Sequence, residues 1–365
     1  MSDKIQDGGG RALAAQADLR TRLLEYLARM APGTPLRDGF ERILRGRTGA
    51  LVVLGHSRQL DEISTGGFGL DVPFSATALR ELAKMDGAIL LSPDLGRIVR
   101  AGVQLMPDAS VPTDETGTRH RTADRTARQT GLPVVSVSAS MSTIGLYLEG
   151  ERRLVEDSAA ILSRADQALQ TLERYRTRLR EVTSRLSALE VHDQVTVKDV
   201  VLVAQRLEMV RRLGLELDGY VTELGTDGRL LALQLYELGA GTEDLPALLE
   251  KDYRPDDPER RFSLADLADL DSTELLEPQA VARAIGFGAA EHLDSRVTTR
   301  GYRQVSQINR LPAAFGVRLI EHFGSLQALF GASAADLQEV DGVGEGRARV
   351  IREGLVRLAE AAYTG

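Results

Sequence analysis

Ala88-Ile89-Leu90-Leu91-Ser92-Pro93-Asp94-Leu95-Gly96-Arg97 reads as the turn of a β-hairpin. Four consecutive apolar residues are the length and composition of a buried strand. Ser92 to Gly96 carries turn chemistry, and Arg97 to Leu105 returns as the second strand. Working outward, Met85-Asp86-Gly87 stands at the entry, delivered by a helix over about Ser75 to Lys84 that has a serine at its cap and Leu79 and Leu82 on one face. Before that, Ala50 to Gly55 is β-rich and Ile63 to Gly69 is a glycine-rich loop. Arg11 to Met30 and Arg37 to Arg45 have helical spacing. After the hairpin, Pro107 to Thr116 is a loop, a helix begins near Arg119, and Leu132 to Ser138 and Thr143 to Glu149 supply two further strands. Helices interleaved with a mixed sheet make this segment an α/β or α+β domain.

The start of that helix carries chemistry. In Gly117-Thr118-Arg119-His120-Arg121-Thr122, two guanidiniums flank an imidazole directly after a glycine and a hydroxyl. Arg forks bind phosphate oxygens bidentately, and bare amides at a helix N-terminus favour the same anion. Six residues do not distinguish a polyphosphate clamp from an amphipathic helix with its basic face in water.

Bulk composition narrows the field. The chain has 365 residues, 43% of them apolar, enough for two or three domains with real cores. Cysteine is absent, which removes disulfides, thiolate nucleophiles and Cys metal sites and fits a cytosolic protein. No run of about 18 apolar residues occurs, and the N-terminus, with Asp3, Asp7 and Gly8 to Gly10, lacks the apolar core of a signal peptide. No membrane partner is expected. The net charge of −8 argues against a surface that grips nucleic acid everywhere, and says little about one small domain. Lys occurs only at 4, 84, 198 and 251, so nearly all positive charge is Arg, as codon bias in a GC-rich genome would produce.

From Glu151 to about Leu189 the pattern becomes a long helix, with Leu154, Ile161, Leu162, Leu169, Leu172, Leu179 and Leu186 at three-, four- and seven-residue spacings. Thr196-Val197-Lys198-Asp199 resembles a capping box that opens another helix through Arg212. Helical runs follow at Gly228 to Leu238, Leu245 to Leu249 and, with interruptions, Asp266 to Ile285, with a break at Pro255 to Pro258. This middle third shows no catalytic constellation.

Near the C-terminus, Val340-Asp341-Gly342-Val343-Gly344-Glu345-Gly346-Arg347 is a glycine loop between helices Ala334 to Glu339 and Glu345 to Leu358. Its form is that of the helix-hairpin-helix motif, whose loop amides and following helix hold a DNA backbone phosphate without reading bases. Gly342, Val343, Gly344, Gly346, Arg347 and Arg349 are its candidate DNA contacts. An earlier unit, Asn309 to Gly316 with Val317 to His322, resembles a partner hairpin with alanines where the first loop glycine is expected. From Arg296 onward nine Arg face seven acids, a net +2 in an otherwise acidic protein.

Asp86-Gly87-Ala88 followed about thirty residues later by Arg119-His120-Arg121 resembles the paired signatures of diadenylate cyclase domains. With a helical spine and a C-terminal hairpin domain, the whole chain resembles the bacterial DNA integrity scanning family. The resemblance implies a multidomain protein: residues 1–150 an α/β cyclase domain, 151–295 an all-α spine, 296–365 an all-α helix-hairpin-helix domain. It implies a nucleotidyltransferase that condenses two ATP into cyclic di-AMP with loss of two pyrophosphates, uses Mg²⁺ or Mn²⁺, and is regulated by branched or damaged DNA. On this reading Asp86 binds the metal or orients a 3′-hydroxyl, Gly87 and Ala88 admit the nucleotide, and Leu105 meets the adenine. Arg119 and Arg121 clamp phosphates, Gly117, Thr118 and Thr122 bind beside them, and Ser136 and Ser138 are further phosphate candidates. His120 is either a hydrogen-bond donor or a metal ligand. Because the product joins two nucleotides, two cyclase domains must face each other, and the resemblance implies a cytoplasmic octamer, with nucleoid association as a further expectation. The alternatives are a DNA-binding architectural protein with a nucleotide-sensing, non-catalytic N-terminal domain, and an ATP-dependent repair enzyme. The second lacks its motif, since no Gly-x-x-x-x-Gly-Lys-Ser/Thr occurs.

Overall fold

A computed structural model describes residues 18–255, 260–288 and 291–364. The acidic and glycine-rich N-terminal stretch, the start of the helix read from Arg11, and Asp256 to Pro258 of the break lie outside them. The elements, in order, are α1 (ending at 29), α2 (Pro35–Arg45), β1 (Ala50–Leu54), α3 (Arg58–Glu62), β2 (Ser64–Thr65), β3 (Phe68–Pro73), α4 (Ala76–Leu82), β4 (Ala88–Leu91), β5 (Arg97–Leu105), α5 (Thr118–Thr130), β6 (Val134–Ser138), β7 (Thr143–Leu148) and β8 (Glu151–Val155). Then come α6 (Ser158–Val191), α7 (Val197–Leu224), α8 (Arg229–Gly239), α9 (Leu245–Tyr253), α10 (Pro278–Ala284), α11 (Tyr302–Val305), α12 (Ala313–Phe323), α13 (Leu326–Gly331), α14 (Ala334–Gln338) and α15 (Glu345–Thr364). The described chain clusters into two compact units: residues up to Gln167 with Leu217–Leu233, and Ala168–Glu216 with Gln234 onward.

The first unit is a mixed sheet with helices on both faces. Its strand order is β2-β5-β4-β1-β6-β7-β8, with β3 also paired to β5. β1 and β4 run parallel and the other pairs are antiparallel. Successive residues of β1 feed opposite cores, as the two-residue strand period requires. Val52 and Leu54 pack with Phe40, Ile43 and Leu79 of α2 and α4, whereas Leu51 and Val53 pack with Leu60 of α3 and Ala123 and Ala127 of α5.

Two stretches differ from the sequence expectation. Residues Glu151 to Val155 form an eighth strand and not the start of a helix. Glu149 (φ 48°) and Gly150 (φ 92°) form a two-residue turn that pairs Leu148 with Glu151, and left-handed geometry at both positions matches the twist of a hairpin. Charged Glu151, Arg152 and Arg153 lie on an exposed sheet edge, which conceals the strand from a hydrophobic pattern and protects it from further pairing. The glycine-rich stretch is not a free loop. β2 and the start of β3 lie along β5 in one register, which shifts between Gly69 and Val72, and Gly66 (φ 63°) and Gly67 (φ 77°) interrupt the strand where a Cβ at Gly67 would meet the Ala101 carbonyl at 2.7 Å.

The second unit contains two apolar clusters, one built on α7, α9 and α10 and one on the C-terminal helices. At the opening of α7, Asp199 accepts from the Thr196 amide (3.1 Å) and the Thr196 hydroxyl (2.6 Å), so half of the expected capping box forms and the helix runs past Arg212 to Leu224. Glu190, Asp252 and Arg303 are all buried. Asp252 accepts from the amides of Gly301, Tyr302 and Arg303 at 2.7, 2.6 and 2.9 Å and so caps α11. Glu190 pairs with Arg303 and also accepts from Gln304 (2.6 Å) and Tyr253 (2.7 Å).

Burial, reinforced by the charge of Glu190, raises Asp252 to about 7, against the three amides and Arg303. A carboxyl whose folded value lies above its unfolded one stabilises most below the ordinary carboxylate range and loses that contribution as pH rises through about 7. Urea unfolding of the wild type should therefore weaken more between pH 5.5 and 8 than that of Asp252→Asn, and equal pH slopes would refute the assignment.

Candidate active site

The parallel pair β1 and β4 begin, and the antiparallel strands β5 and β6 end, at the same edge of the sheet. The loop after β5 returns the chain to that edge as α5. A cleft of about 960 Å³ opens there, lined by residues of β1, β4, β5, α5 and the turn after β6. This is the upper range of small-molecule sites.

The Asp86 stretch stands at the entry to β4. Gly87 has φ 105°, and a Cβ there would lie 2.7 Å from the Gly102 backbone and 2.8 Å from the Val103 carbonyl. Only glycine permits that approach, and it leaves the exposed Asp86 carboxylate at the mouth of the cleft with no protein partner among the described residues. Ala88 is buried against β1 and β5.

The first turn of α5 faces the same cleft. Its N-cap is Gly117, which has no side chain to bond the first amides, whereas Thr34, Ser57 and Ser75 cap α2, α3 and α4. The amides of Thr118, Arg119 and His120 thus open an uncapped, 13-residue helix onto the cavity, where they and the helix dipole favour an anion. Thr118, Arg119, His120 and Thr122 line the cleft with Leu105 and Ser138. The Thr122 hydroxyl donates to the Thr118 carbonyl at 2.9 Å, which leaves it lone pairs and no free proton.

Two residues of the sequence reading are not on the cleft wall. Arg121 is exposed and lies outside the lining of this single chain. Ser136 is fully buried within the sheet opposite Leu51 and Gly145, its hydroxyl without a protein partner. Ser138 and Ser136 share a face, but two residues of strand separate them by about 6.5 Å, enough to put only Ser138 at the cleft.

The structure adds residues that the motifs did not mark. A Cβ at Gly49 would overlap the Arg119 guanidinium, so Gly49 is the notch in which that side chain lies. Lys84 brings another cation and Gln104 an amide. Glu115 and Arg152 pair at 2.9 Å on the wall beside His120, whose Nδ1 lies 2.8 Å from the Tyr147 hydroxyl. Burial lowers the His120 pKa; Glu115 opposes the shift, while Arg152 and Arg119 add to it. The imidazole is therefore neutral at physiological pH. Among the described residues no three His, Asp or Glu side chains form a metal-binding group.

In the C-terminal helices two helix–loop–helix pairs repeat one geometry. Gly342 (φ 79°) and Arg310 (φ 65°) occupy the same left-handed loop position, each followed by an amide that bonds back three residues: Val343 to Val340 at 2.9 Å and Leu311 to Ile308 at 3.2 Å. The alanines expected in the first loop instead open α12, and Arg310 takes the glycine position. Val343 is buried and its amide is engaged, so the first-turn amides of α15, at Glu345 and Gly346, are the open donors. Arg347 bonds the Gly342 carbonyl and lies 4.0 Å from the Phe315 ring centroid. Arg318 stacks on the same ring at 5.1 Å, joining the two pairs. Arg349 is largely exposed.

Residues 37–152 match the family described as "DisA bacterial checkpoint controller nucleotide-binding", and 155–293 match "DisA bacterial checkpoint controller linker region". The DNA integrity scanning protein DisA of Streptomyces coelicolor is 60% identical over 92% of this chain and 91% of its own length. Those of Frankia alni and Acidothermus cellulolyticus are 59% and 58% identical, over 92% and 93% of this chain and 94% of each relative. The chain belongs to the DisA family. As a DisA protein it is a diadenylate cyclase of the nucleotidyltransferase class, and the cleft at the edge of its sheet lies inside the nucleotide-binding match. No helix among the described residues of this DisA protein is long and apolar enough to cross a membrane.

Arg119 ends a flexible side chain, so Gly49→Ala should leave the fold intact while displacing the guanidinium from its notch. Loss of a charge-assisted bond of about 1.5–3 kcal/mol predicts roughly 10- to 100-fold weaker ATP binding by calorimetry with an unchanged thermal midpoint. Unaltered affinity would remove Arg119 from the binding site.

Proposed function

We propose that the cleft binds one ATP and that two such clefts, on facing protomers, condense two ATP into cyclic di-AMP with loss of two pyrophosphates. The observation that carries this reading is the convergence of the uncapped α5 N-terminus, Arg119 and an unpartnered Asp86 on one cavity. The helix amides, Arg119 and Lys84 take the triphosphate. Asp86 stands where the ribose 3′-hydroxyl is oriented for in-line attack on the α-phosphorus of the opposing nucleotide. Leu105 supplies an apolar wall for the adenine, and Ser138 lies beside the phosphates. Arg121 is exposed and off the cleft of its own chain, and on this reading it serves the phosphates of the facing protomer. A homo-oligomer with a two-fold interface follows from the need to present two nucleotides to each other; an octamer is what the family resemblance adds to that.

The donor set fits a hard divalent cation. One free carboxylate plus nucleotide phosphates is how Mg²⁺ is held at phosphoryl-transfer sites, and the other acid in the cleft, Glu115, is already paired with Arg152. Asp86 would hold Mg²⁺ or Mn²⁺, which supplies charge neutralisation at the pyrophosphate leaving group. Arg119 and the α5 amides share that neutralisation from the protein side.

By task, the chain divides into a cyclase domain over residues 1–150, a helical spine over 151–295 and a DNA-binding domain over 296–365. The two hairpin loops, with Gly344, Glu345 and Gly346 at the start of α15 and Arg347 and Arg349 beside them, hold backbone phosphates of branched DNA without reading bases. Binding there regulates the cyclase, in keeping with a cytoplasmic, nucleoid-associated protein.

Purified protein given ATP and Mg²⁺ or Mn²⁺ should release cyclic di-AMP and pyrophosphate, and Asp86→Asn should abolish product. Release of ADP and phosphate instead would sink the cyclase reading. Junction DNA should change the rate of the full chain, while Arg349→Glu should weaken DNA binding alike for all sequences and lower the slope of log affinity against log salt by about one. A sequence-dependent loss would point to base readout.

A further inference from the structure

We propose that Tyr147 is a positioning residue of the cyclase site: with Glu115 it holds His120 in the tautomer protonated at Nδ1, so that Nε2 presents a lone pair to the nucleotide. This rests on the cyclase reading for its functional part. The tautomer itself rests on geometry alone.

Three contacts form a line from the core to the cleft wall. His120 Nδ1 lies 2.8 Å from the Tyr147 hydroxyl oxygen. That oxygen is 3.3 Å from Glu115 Oε1, and Arg152 donates to the same Oε1 at 2.9 Å. Tyr147 is fully buried behind the wall, and His120, itself mostly buried, lines the cleft with Glu115 and Arg152.

A phenol has one proton to place between two neighbours. A carboxylate paired with a guanidinium has none to give. If the Tyr147 proton pointed at Nδ1, the phenol oxygen would face Glu115 at 3.3 Å with two sets of lone pairs opposed and one bond lost. If it points at Glu115, the charged acceptor takes it, Nδ1–H donates into the phenol oxygen, and both contacts are hydrogen bonds. The chain therefore runs from Nδ1–H through the Tyr147 hydroxyl to Glu115. Burial holds the phenol well above its ordinary value and the imidazole below its own, so both stay neutral and the order persists at physiological pH.

The partner of one imidazole nitrogen sets the state of the other. With Nδ1 protonated, Nε2 is an acceptor and cannot donate to a phosphate oxygen. Phosphate binding falls to Arg119 and the α5 amides, and His120 serves a group that seeks a lone pair.

The tautomer is read in the full-length protein without nucleotide, by two-bond ¹H–¹⁵N correlation of ¹⁵N-histidine-labelled protein. The signal belonging to His120, one of five histidines, is the one lost in His120→Gln. The expected wild-type spectrum shows a protonated Nδ1 and an unprotonated Nε2. Removing the acceptor in Glu115→Ala should turn the Tyr147 proton toward Nδ1 and reverse the tautomer. Tyr147→Phe should lower kcat by about 10- to 100-fold, the range for loss of a ligand-orienting partner, with KM for ATP little changed. A protonated Nε2 in the wild type, an unreversed tautomer in Glu115→Ala, or an unaltered kcat in Tyr147→Phe would each overturn the proposal. Absence of cyclic di-AMP from the wild type would instead defeat the cyclase reading and leave the tautomer result standing.

Discussion

The backbone of β5 and the backbone at Gly87 approach more closely than any side chain would allow. That contact is the constraint on which the site depends. β5 shifts register against β4 between Ala88 and Leu90, next to Gly102, whose φ of 67° belongs to a glycine-type bulge. The bulge bends β5 into the space a Cβ on Gly87 would fill, and Gly67, in the break between β2 and β3, lies against it from the other side. The chain before β4 is thereby locked, and Asp86 stands at the rim of the cleft on rigid backbone. Rigid backbone is what holds a side chain at a site to within about 0.5 Å.

Opposite Asp86, the first turn of α5 has open amides because Gly117 offers no cap. A Ser or Asp there would close the same amides with its own oxygen. Glycine at the cap gives up roughly a few tenths of a kcal/mol of helix stability and leaves the amides open. Arg119 reaches the cleft through the notch at Gly49, and His120 turns inward to Tyr147 because the next core residues of α5, Ala123 and Ala127, fix the buried face of the helix. The three residues of the Arg-His-Arg signature thus differ in setting: Arg119 lies in the cleft, His120 is a mostly buried part of the cleft wall with its Nδ1 turned to Tyr147, and Arg121 is in solvent.

The second unit shows a different use of buried charge. Glu190 and Asp252 would be costly in the interior without partners, yet both are saturated by Arg303, Tyr253, Gln304 and the three amides that begin α11. The result holds the end of α6, the end of α9 and the first hairpin helix in one arrangement. Arg303 is one of the nine arginines that give the segment from Arg296 onward its net +2. Its burial takes it out of that count.

Much of the site was legible in the chain because its signals are local. Asp86-Gly87 ahead of an apolar strand announces a tight turn, and glycine followed by hydroxyl and guanidinium at a helix start announces an uncapped basic helix N-terminus, from neighbouring residues alone. The hairpin at Ser92 to Gly96, the mixed α/β class and the Gly342 loop were readable for the same reason. What the chain concealed depends on residues far apart in sequence. β8 hides among charges because it is an edge strand, Gly49 matters only for what Arg119 does seventy residues later, and Arg310 adopts a glycine-like conformation that its type does not announce. The sequence by itself determined which chemistry the cleft can hold, since that follows from side-chain type. Tertiary structure alone decided which way each side chain faces: it placed Ser138 at the cleft and Ser136 inside the sheet, and gave His120 a tyrosine and a glutamate to set its proton. Direction is a property of packing, and packing joins residues that the chain keeps apart.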